Sequence, residues 1–255
     1  MKLLFLSIVA LINLSCYQKI PSQGKQNYIY PSPNLEIKYQ QDWQKTPFNN
    51  RINDFRNKPI GENKIVFLGN SIIEAGSNWN EKFGVNYIVN RGISGDFTEG
   101  VLSRLNEIFY YKPLAVYILI GINDIFDDHL NRKDITPLYV ASNIMKIANQ
   151  IKVNSNDTKI FIQTILPVDT LRYMEFHDRK LPIYKISLNE QINQINLLIE
   201  EINKDHSIID LHSLFADKRG LMNKQYTTDG VHLNNTGYSI WVKHIKKDIL
   251  SFMEG

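Results

Sequence analysis

Residues 64–73 read KIVFLGNSII, and the interpretation of this stretch decides the fold. Ile65, Val66, Phe67 and Leu68 form an uninterrupted apolar run of strand length, which suits a β-strand buried on both faces. Gly69 follows, so the chain must turn outward just ahead of Ser71. A serine at such a turn is a candidate nucleophile, but its hydroxyl attacks poorly until a neighbouring base removes the proton. The reading therefore requires a histidine with its own orienting acid. Asp229 and His232, within DGVHL at 229–233, supply that pair.

Working outward, the chain alternates short apolar runs with segments of helical period, a pattern that calls for parallel strands covered by helices on both faces. Strands are expected at 64–68, 87–89, 114–120, 159–164 and 207–209. Between them, Val101, Leu105, Ile108 and Phe109 share one helix face, as do Val140, Ile144, Ile147 and Ile151, and then Ile192, Ile195, Ile199 and Ile202. A last helix is expected from about Thr236, with Ile240, Trp241, Ile245 and Ile249 inward and Lys243, Lys246 and Lys247 toward water. An earlier helix is expected to start at Thr46 and Pro47, to turn Ile52 and Phe55 inward and to end before Pro59 and Gly61. Open parallel sheets bind ligands beyond the carboxyl ends of their strands. Ser71, Gly95 and Asn123 each follow an expected strand, and the Asp229–His232 turn precedes the last helix, so the candidate groups gather on one rim.

At 255 residues, 43% hydrophobic and 11% aromatic, the chain has apolar material for one sizeable core. The net charge of +3 arises from interspersed Lys, Arg, Asp and Glu with no long basic run, which argues against nucleic acid as a partner. His129, His177, His206, His212 and His244 lack paired metal-ligand spacing, and the lone cysteine offers no thiolate cluster, so neither a metal nor another cofactor is expected. The glycines of NRGISGD, residues 90–96, are too few for a dinucleotide loop, and Ile72 and Ile73 after Ser71 rule out a GxSxG elbow.

Residues 1–16 read as an export signal: Lys2, then an apolar stretch from Leu3 to Leu14, then Ser15 and Cys16. The end of this segment is similar to the lipobox at which bacterial lipoproteins are cleaved and acylated, although Asn13 departs from the usual apolar residue. The expectation is an exported protein of the periplasm or cell envelope, tethered through a lipid on Cys16, with the membrane contacted only by that anchor. Residues 17–45 are rich in Gln, Pro, Ser and Asn and are expected to form a poorly ordered spacer, leaving 46–255 as one catalytic domain.

Four separated blocks, FLGNSII, NRGISGD, GIND and DGVHL, stand in the order and roughly the spacing of the SGNH, or GDSL, hydrolase superfamily, which the chain resembles from about Ile60 to Phe252. NRGISGDFTEG and GIND are most similar to the branch of platelet-activating-factor acetylhydrolase and bacterial thioesterase I. The resemblance implies an α/β fold of the flavodoxin-like type, a three-layer sandwich with a central five-stranded parallel sheet. It also implies that Ser71 is the nucleophile, His232 the general base and then acid, and Asp229 the acid that orients the imidazole. The oxyanion donors it implies are the Ser71 and Gly95 amides and the Asn123 side chain. Taken singly, each residue has a plainer use: Ser71 as a helix cap, Asp229 and His232 as a closed turn, Gly92 and Gly95 as a turn, Asn123 with Asp124 as a capping pair. The family's GDS reads GNS here, with Asn70 in place of aspartate; because that aspartate is not the triad acid, activity is expected to be retained with altered hydrogen bonding around the turn.

Trp79, Tyr173, His177 and Tyr226, with Phe176, are candidates for substrate binding, and the polar and aromatic loop from Pro167 to Pro182 suits a sugar or small polar ester. The sequence thus favours deacetylation of a carbohydrate or small ester. A lysophospholipase or thioesterase is the second reading, and an inactive, lipid-anchored glycan-binding protein is the alternative of another class.

Overall fold

The computed structural model describes residues 29–126 and 134–252, so Cys16, the expected export signal, the first part of the spacer and His129 lie outside the described residues. Five strands are β1 (Ile65–Gly69), β2 (Ile88–Gly92), β3 (Ala115–Leu119), β4 (Lys159–Gln163) and β5 (Ser207–Ile209). They pair in parallel in the order β2-β1-β3-β4-β5, the flavodoxin-like arrangement whose strand order reverses between β1 and β3. The helices in chain order are α1 (Asp42–Asn57), α2 (Ser71–Ala75), α3 (Trp79–Phe83), α4 (Thr98–Leu102), α5 (Asn106–Tyr111), α6 (Ile122–Ile125), α7 (Pro137–Asn154), α8 (Thr170–Phe176), α9 (Leu188–Ile202), α10 (Leu211–Phe215) and α11 (Asn235–Ser251).

Side chains alternate across a strand, so the apolar run of β1 feeds two cores at once. Val66 and Leu68 join Val116, Ile118 and Ile162 against Val101, Ile144, Ile147, Ile192 and Ile195 from α4, α7 and α9. Ile65 and Phe67 join Ala115, Tyr117 and Leu119 against Ile73, Trp79, Phe83, Phe215, Trp241 and Ile245 from α2, α3, α10 and α11. Every residue of β1 and β3 is buried, which is why neither strand shows polar alternation. The three layers expected from the sequence are therefore present.

Three local expectations need correction. The helix expected at Thr46 begins at Asp42, because the buried Gln44 side chain accepts the Gln41 N–H at 2.8 Å and closes the first turn four residues earlier; Pro47 consequently sits inside α1. The second half of the expected spacer is packed: Ile29 is buried, and the Tyr30 hydroxyl reaches the Phe55 carbonyl (3.0 Å) and the Glu107 carboxylate (2.8 Å). The single helix face expected from Val101 to Phe109 is divided between α4 and α5, with the break at Ser103–Leu105.

That break turns Arg104 inward. Its guanidinium is buried with the Asp96 carboxylate at 2.8 Å, and it also donates to the carbonyls of Arg91 and Gly69, each at 3.0 Å. The ends of β1 and β2 are thus tied to the loop that follows β2. Losing one member of a buried ion pair typically costs about 3–5 kcal/mol, since the other charge is left unpaired. Arg104→Met should therefore lower the unfolding free energy in urea by about that amount, whereas a change under about 1 kcal/mol would show that the clamp contributes little.

Candidate active site

The site lies where the carboxyl ends of β1 and β3 diverge. β1 ends at Gly69, and Asn70 caps α2 by accepting the Ile72 N–H at 3.0 Å, which leaves Ser71 as the first helical residue on the rim. The Ser71 Oγ stands 3.1 Å from His232 Nε2. His232 Nδ1 stands 2.8 Å from Asp229 Oδ2. An ionised carboxylate can only accept, so Nδ1 carries the proton and Nε2 is free to accept from the serine.

The Asp229–His232 turn is held from within. Asp229 Oδ1 accepts the backbone N–H groups of Val231 (2.9 Å) and His232 (2.7 Å). Thr227 Oγ1 accepts from the Gly230 amide (2.8 Å) and donates to the His232 carbonyl (2.7 Å). Gly230 has φ +94°, and a Cβ there would lie 2.3 Å from the Asp169 carbonyl oxygen. Burial alone would raise the Asp229 carboxyl, but the side-chain and backbone hydrogen bonds of His232, with a further one from His177, outweigh it and hold the group well below the usual carboxylate range. Asp229 is therefore ionised wherever an imidazole could serve as a base.

Gly95 and Asn123 meet through the residue between their segments. Asn123 Nδ2 donates to the Asp96 carbonyl at 2.8 Å, which orients the carboxamide and leaves its second N–H to another acceptor. Gly95 has φ +78°, and its carbonyl accepts from Gln44 Nε2 at 2.7 Å. A Cβ on Gly95 would lie 2.7 Å from the Trp43 ring. The amides of the turns after β1 and β2 and the carboxamide after β3 thus stand on the rim that carries the hydroxyl and the imidazole. Such an assembly can transfer an acyl group: a base-activated hydroxyl attacks, and fixed N–H donors receive the negative oxygen that forms.

The sequence profile described as GDSL-like Lipase/Acylhydrolase family matches residues 67–240, most of the chain. The chain belongs to this family. It is similar to N-acylneuraminate cytidylyltransferase of Escherichia coli O18:K1:H7, with 28% identity over 196 residues, 75% of this chain; the match spans only 41% of that relative's length. It is also similar to the human platelet-activating factor acetylhydrolase IB subunit alpha2, with 25% identity over 76% of this chain and 79% of the relative. Among solved structures, a provisionally named platelet activating factor from Streptococcus pneumonia superposes with a TM-score of 0.68 and 28% identity, covering 82% of this chain and 95% of the other. Membership of the GDSL-like family places the chain among the ester hydrolases.

Of the residues expected to bind substrate in this GDSL-like site, two are elsewhere. Trp79 is 1% exposed, packs in the core against Phe67 (4.6 Å, tilted) and Trp241 (5.1 Å, edge-on), and donates its Nε1–H to the Ile73 carbonyl. Tyr226 packs against Phe215 at 5.9 Å on the α10–α11 side of the sheet. The loop from Pro167 to Pro182 does approach the site, but as α8 and not as an irregular connector. Through it, Tyr173 packs on the His177 ring at 4.4 Å, and His177 Nε2 stands 2.9 Å from Asp229 Oδ2; Phe176 stays exposed beside them. Reading the sequence by strand ends missed Trp43, Gln44, Asp96 and Arg104, because none of them belongs to an apolar period or follows a strand directly.

Beside Asn123, Asp124 is buried and accepts from the Thr98 amide at 3.1 Å and from the Thr98 hydroxyl at 2.5 Å. Burial pushes its carboxyl up to about 7; the Thr98 hydrogen bonds oppose the rise, and the charges of Asp96 and Glu99 add to it. The folded chain therefore holds this proton more tightly than the unfolded chain does. The resulting stability is complete below the ordinary carboxylate value of about 3.9 and disappears as pH rises through about 7. Urea unfolding of wild type and Asp124→Asn at intervals from pH 4 to pH 8 should show wild-type stability declining relative to the variant. Parallel curves across that range would contradict the assignment.

Proposed function

We propose that the protein deacetylates a carbohydrate or another small polar ester through an acyl-enzyme on Ser71, a reading carried by the unbroken Ser71–His232–Asp229 hydrogen-bond chain. In the first half-reaction Ser71 Oγ bonds to the ester carbonyl carbon while its proton passes to His232 Nε2. The carbonyl oxygen becomes an anion received by the Ser71 and Gly95 amides and the Asn123 carboxamide. Collapse of that intermediate breaks the bond to the alcohol, which leaves with the proton from His232. In the second half, water gives a proton to His232, its oxygen attacks the acyl carbon, and the acid departs as Ser71 recovers its proton. Asp229 stays ionised throughout and stabilises the imidazolium.

Two observations support a short acyl group and a sugar. A recess of about one water's volume is lined by Asn70, Ile72, Ile122, Leu166, Val168 and Val231, of which Asn70, Ile122 and Val231 adjoin Ser71, Asn123 and His232 in sequence. Trp43, 60% exposed and against Gly95, offers an apolar ring face of the kind on which sugar rings stack. The names of the relatives point the same way, one to acetyl hydrolysis and the other to an N-acylated sugar acid.

A fluorophosphonate probe should label wild type and not Ser71→Ala. Turnover of p-nitrophenyl acetate should fall by about four to six orders of magnitude in Ser71→Ala and by about 10²- to 10³-fold in Asn123→Ala. Activity should drop from acetate to butyrate to octanoate esters. A preference for octanoate would instead favour the lysophospholipase or thioesterase reading, and an unlabelled wild type that binds sugars would favour a binding protein. For Trp43→Ala, KM should rise about tenfold on an acetylated oligosaccharide, a loss of about 1.4 kcal/mol in binding, with p-nitrophenyl acetate kinetics unchanged. Equal effects on both substrates would remove the stacking role.

A further inference from the structure

The carboxylate that orients His232 is shared with a second histidine. Asp229 Oδ1 is occupied by two backbone N–H groups, so both imidazoles converge on Oδ2, His232 Nδ1 at 2.8 Å and His177 Nε2 at 2.9 Å. Because an ionised carboxylate only accepts, His177 donates its Nε2–H there. We propose that His177 is a positioning residue of the esterase site, the fourth member of a chain running Ser71, His232, Asp229 and His177, and that it divides the Asp229 charge between two imidazoles. The inference rests on the Ser71 acyl-enzyme reading.

The fold places His177 with care. It ends α8, where its amide bonds to the Tyr173 carbonyl at 3.1 Å, and its ring lies against Tyr173 (4.4 Å) and Phe176 (5.1 Å). Tyr173 in turn packs edge-on against Phe126 at 4.9 Å, beside α6. α8 itself is fastened to the Asp229–His232 turn: the Asp169 amide donates to the Gly230 carbonyl at 2.8 Å, and the Arg172 guanidinium donates to the Thr228 carbonyl at 2.9 Å. His177 touches the ionisable groups Asp229 and Tyr173, with His232 beyond the carboxylate; Arg172, Glu175, Asp178 and Arg179 are close to it in sequence on its own segment. Arg179 is drawn over the Tyr173 ring at 5.9 Å. The His177 side chain is 35% exposed, so it exchanges protons with solvent while its donor end is held on the buried carboxylate.

Sharing has a chemical consequence. Each N–H that reaches Oδ2 draws on the same lone pairs and the same charge, so the carboxylate supports the His232 imidazolium less than it would alone. With His177 removed, Asp229 serves His232 alone, and its full charge supports the imidazolium.

The test is the pH dependence of kcat/KM for p-nitrophenyl acetate in wild type, His177→Ala and His177→Gln, with fluorophosphonate labelling of each protein at pH 8. In His177→Ala the acidic limb should move upward by about 0.5 to 1 pH unit. In His177→Gln, whose amide restores a donor that does not titrate, the limb should return close to the wild-type position. A structural role alone would lower the plateau and leave the limb in place, and that result overturns the proposal. If His177→Ala fails to fold, the glutamine variant still decides, because a limb displaced from the wild-type position although the donor is restored also overturns it. A wild type that neither reacts with the probe nor turns over the ester defeats the Ser71 reading instead, so the two failures are distinct.

Discussion

A buried guanidinium must have acceptors on all sides, and Arg104 obtains them from the three segments that build the active-site rim. Its partners are the Gly69 carbonyl at the end of β1, the Arg91 carbonyl in β2 and the Asp96 carboxylate in the loop carrying Gly95. The main-chain oxygen of Asp96 then orients Asn123, so a fourth segment is brought into line. Burying this pair is costly in desolvation: burial raises the Asp96 carboxyl, and it lowers Arg104, each against the pull of the other. An apolar pair of similar volume would fill the space with less penalty. What the ion pair adds is geometric: donors in fixed directions allow only one arrangement of the strand ends. A second buried pair, Arg91 with Glu107 at 2.8 Å, continues the network to the Ile60 amide and the Tyr30 hydroxyl, and so secures the residues ahead of α1 as well.

The N-terminal helix belongs to the same system although it precedes the matched family segment of residues 67–240. Phe48, Ile52 and Phe55 form a small core of their own with Ile93, in the loop of Gly95. Gln44 has one end closing the first turn of α1 and the other on the Gly95 carbonyl. Arg51 donates to the Gly92 carbonyl and pairs with Glu74 of α2 at 3.1 Å. At Gly92 the chains press so closely that a Cβ would lie 2.2 Å from the Glu74 amide nitrogen. α1 therefore acts as a brace behind the turn that carries Gly95.

How much of this was legible depended on whether a residue's role is local or distributed. The strands were legible because burial on both faces forces an unbroken apolar run, as in residues 65–68, and that signal needs no knowledge of neighbours. The rim placement of Ser71 and Asn123 followed from strand ends, and that of His232 from its turn just ahead of the last helix. The start of α1 was not legible, because a glutamine pair took the capping role that Thr46 and Pro47 advertise. Nor was the division of residues 98–111 into two helices, which exists so that Arg104 can turn inward. Trp79 and Tyr226 were misplaced for a general reason: an aromatic near a strand end suits a core as well as a pocket, and only the packing of α3 and α11 separates the two. His177 was picked out as a substrate contact, yet its donor end is turned to Asp229, a relation that no spacing in the chain encodes.

The substitution of Asn70 for the family's aspartate acquires a physical meaning in this setting. Its side-chain oxygen is needed to cap the Ile72 amide, and a neutral carboxamide does this as well as a carboxylate. What changes is charge. Asn70 is buried directly ahead of Ser71, so the substitution removes a charge from the turn that carries the hydroxyl. With asparagine, the fixed negative charge closest along the hydrogen-bond chain is that of Asp229, on the far side of the imidazole. The site thus separates its charges by position: carboxylate behind the base, neutral donors and a neutral cap before the hydroxyl. That separation, maintained by the buried network behind it, is what the proposed mechanism requires, since it asks the same site to protonate a base and to form an oxyanion.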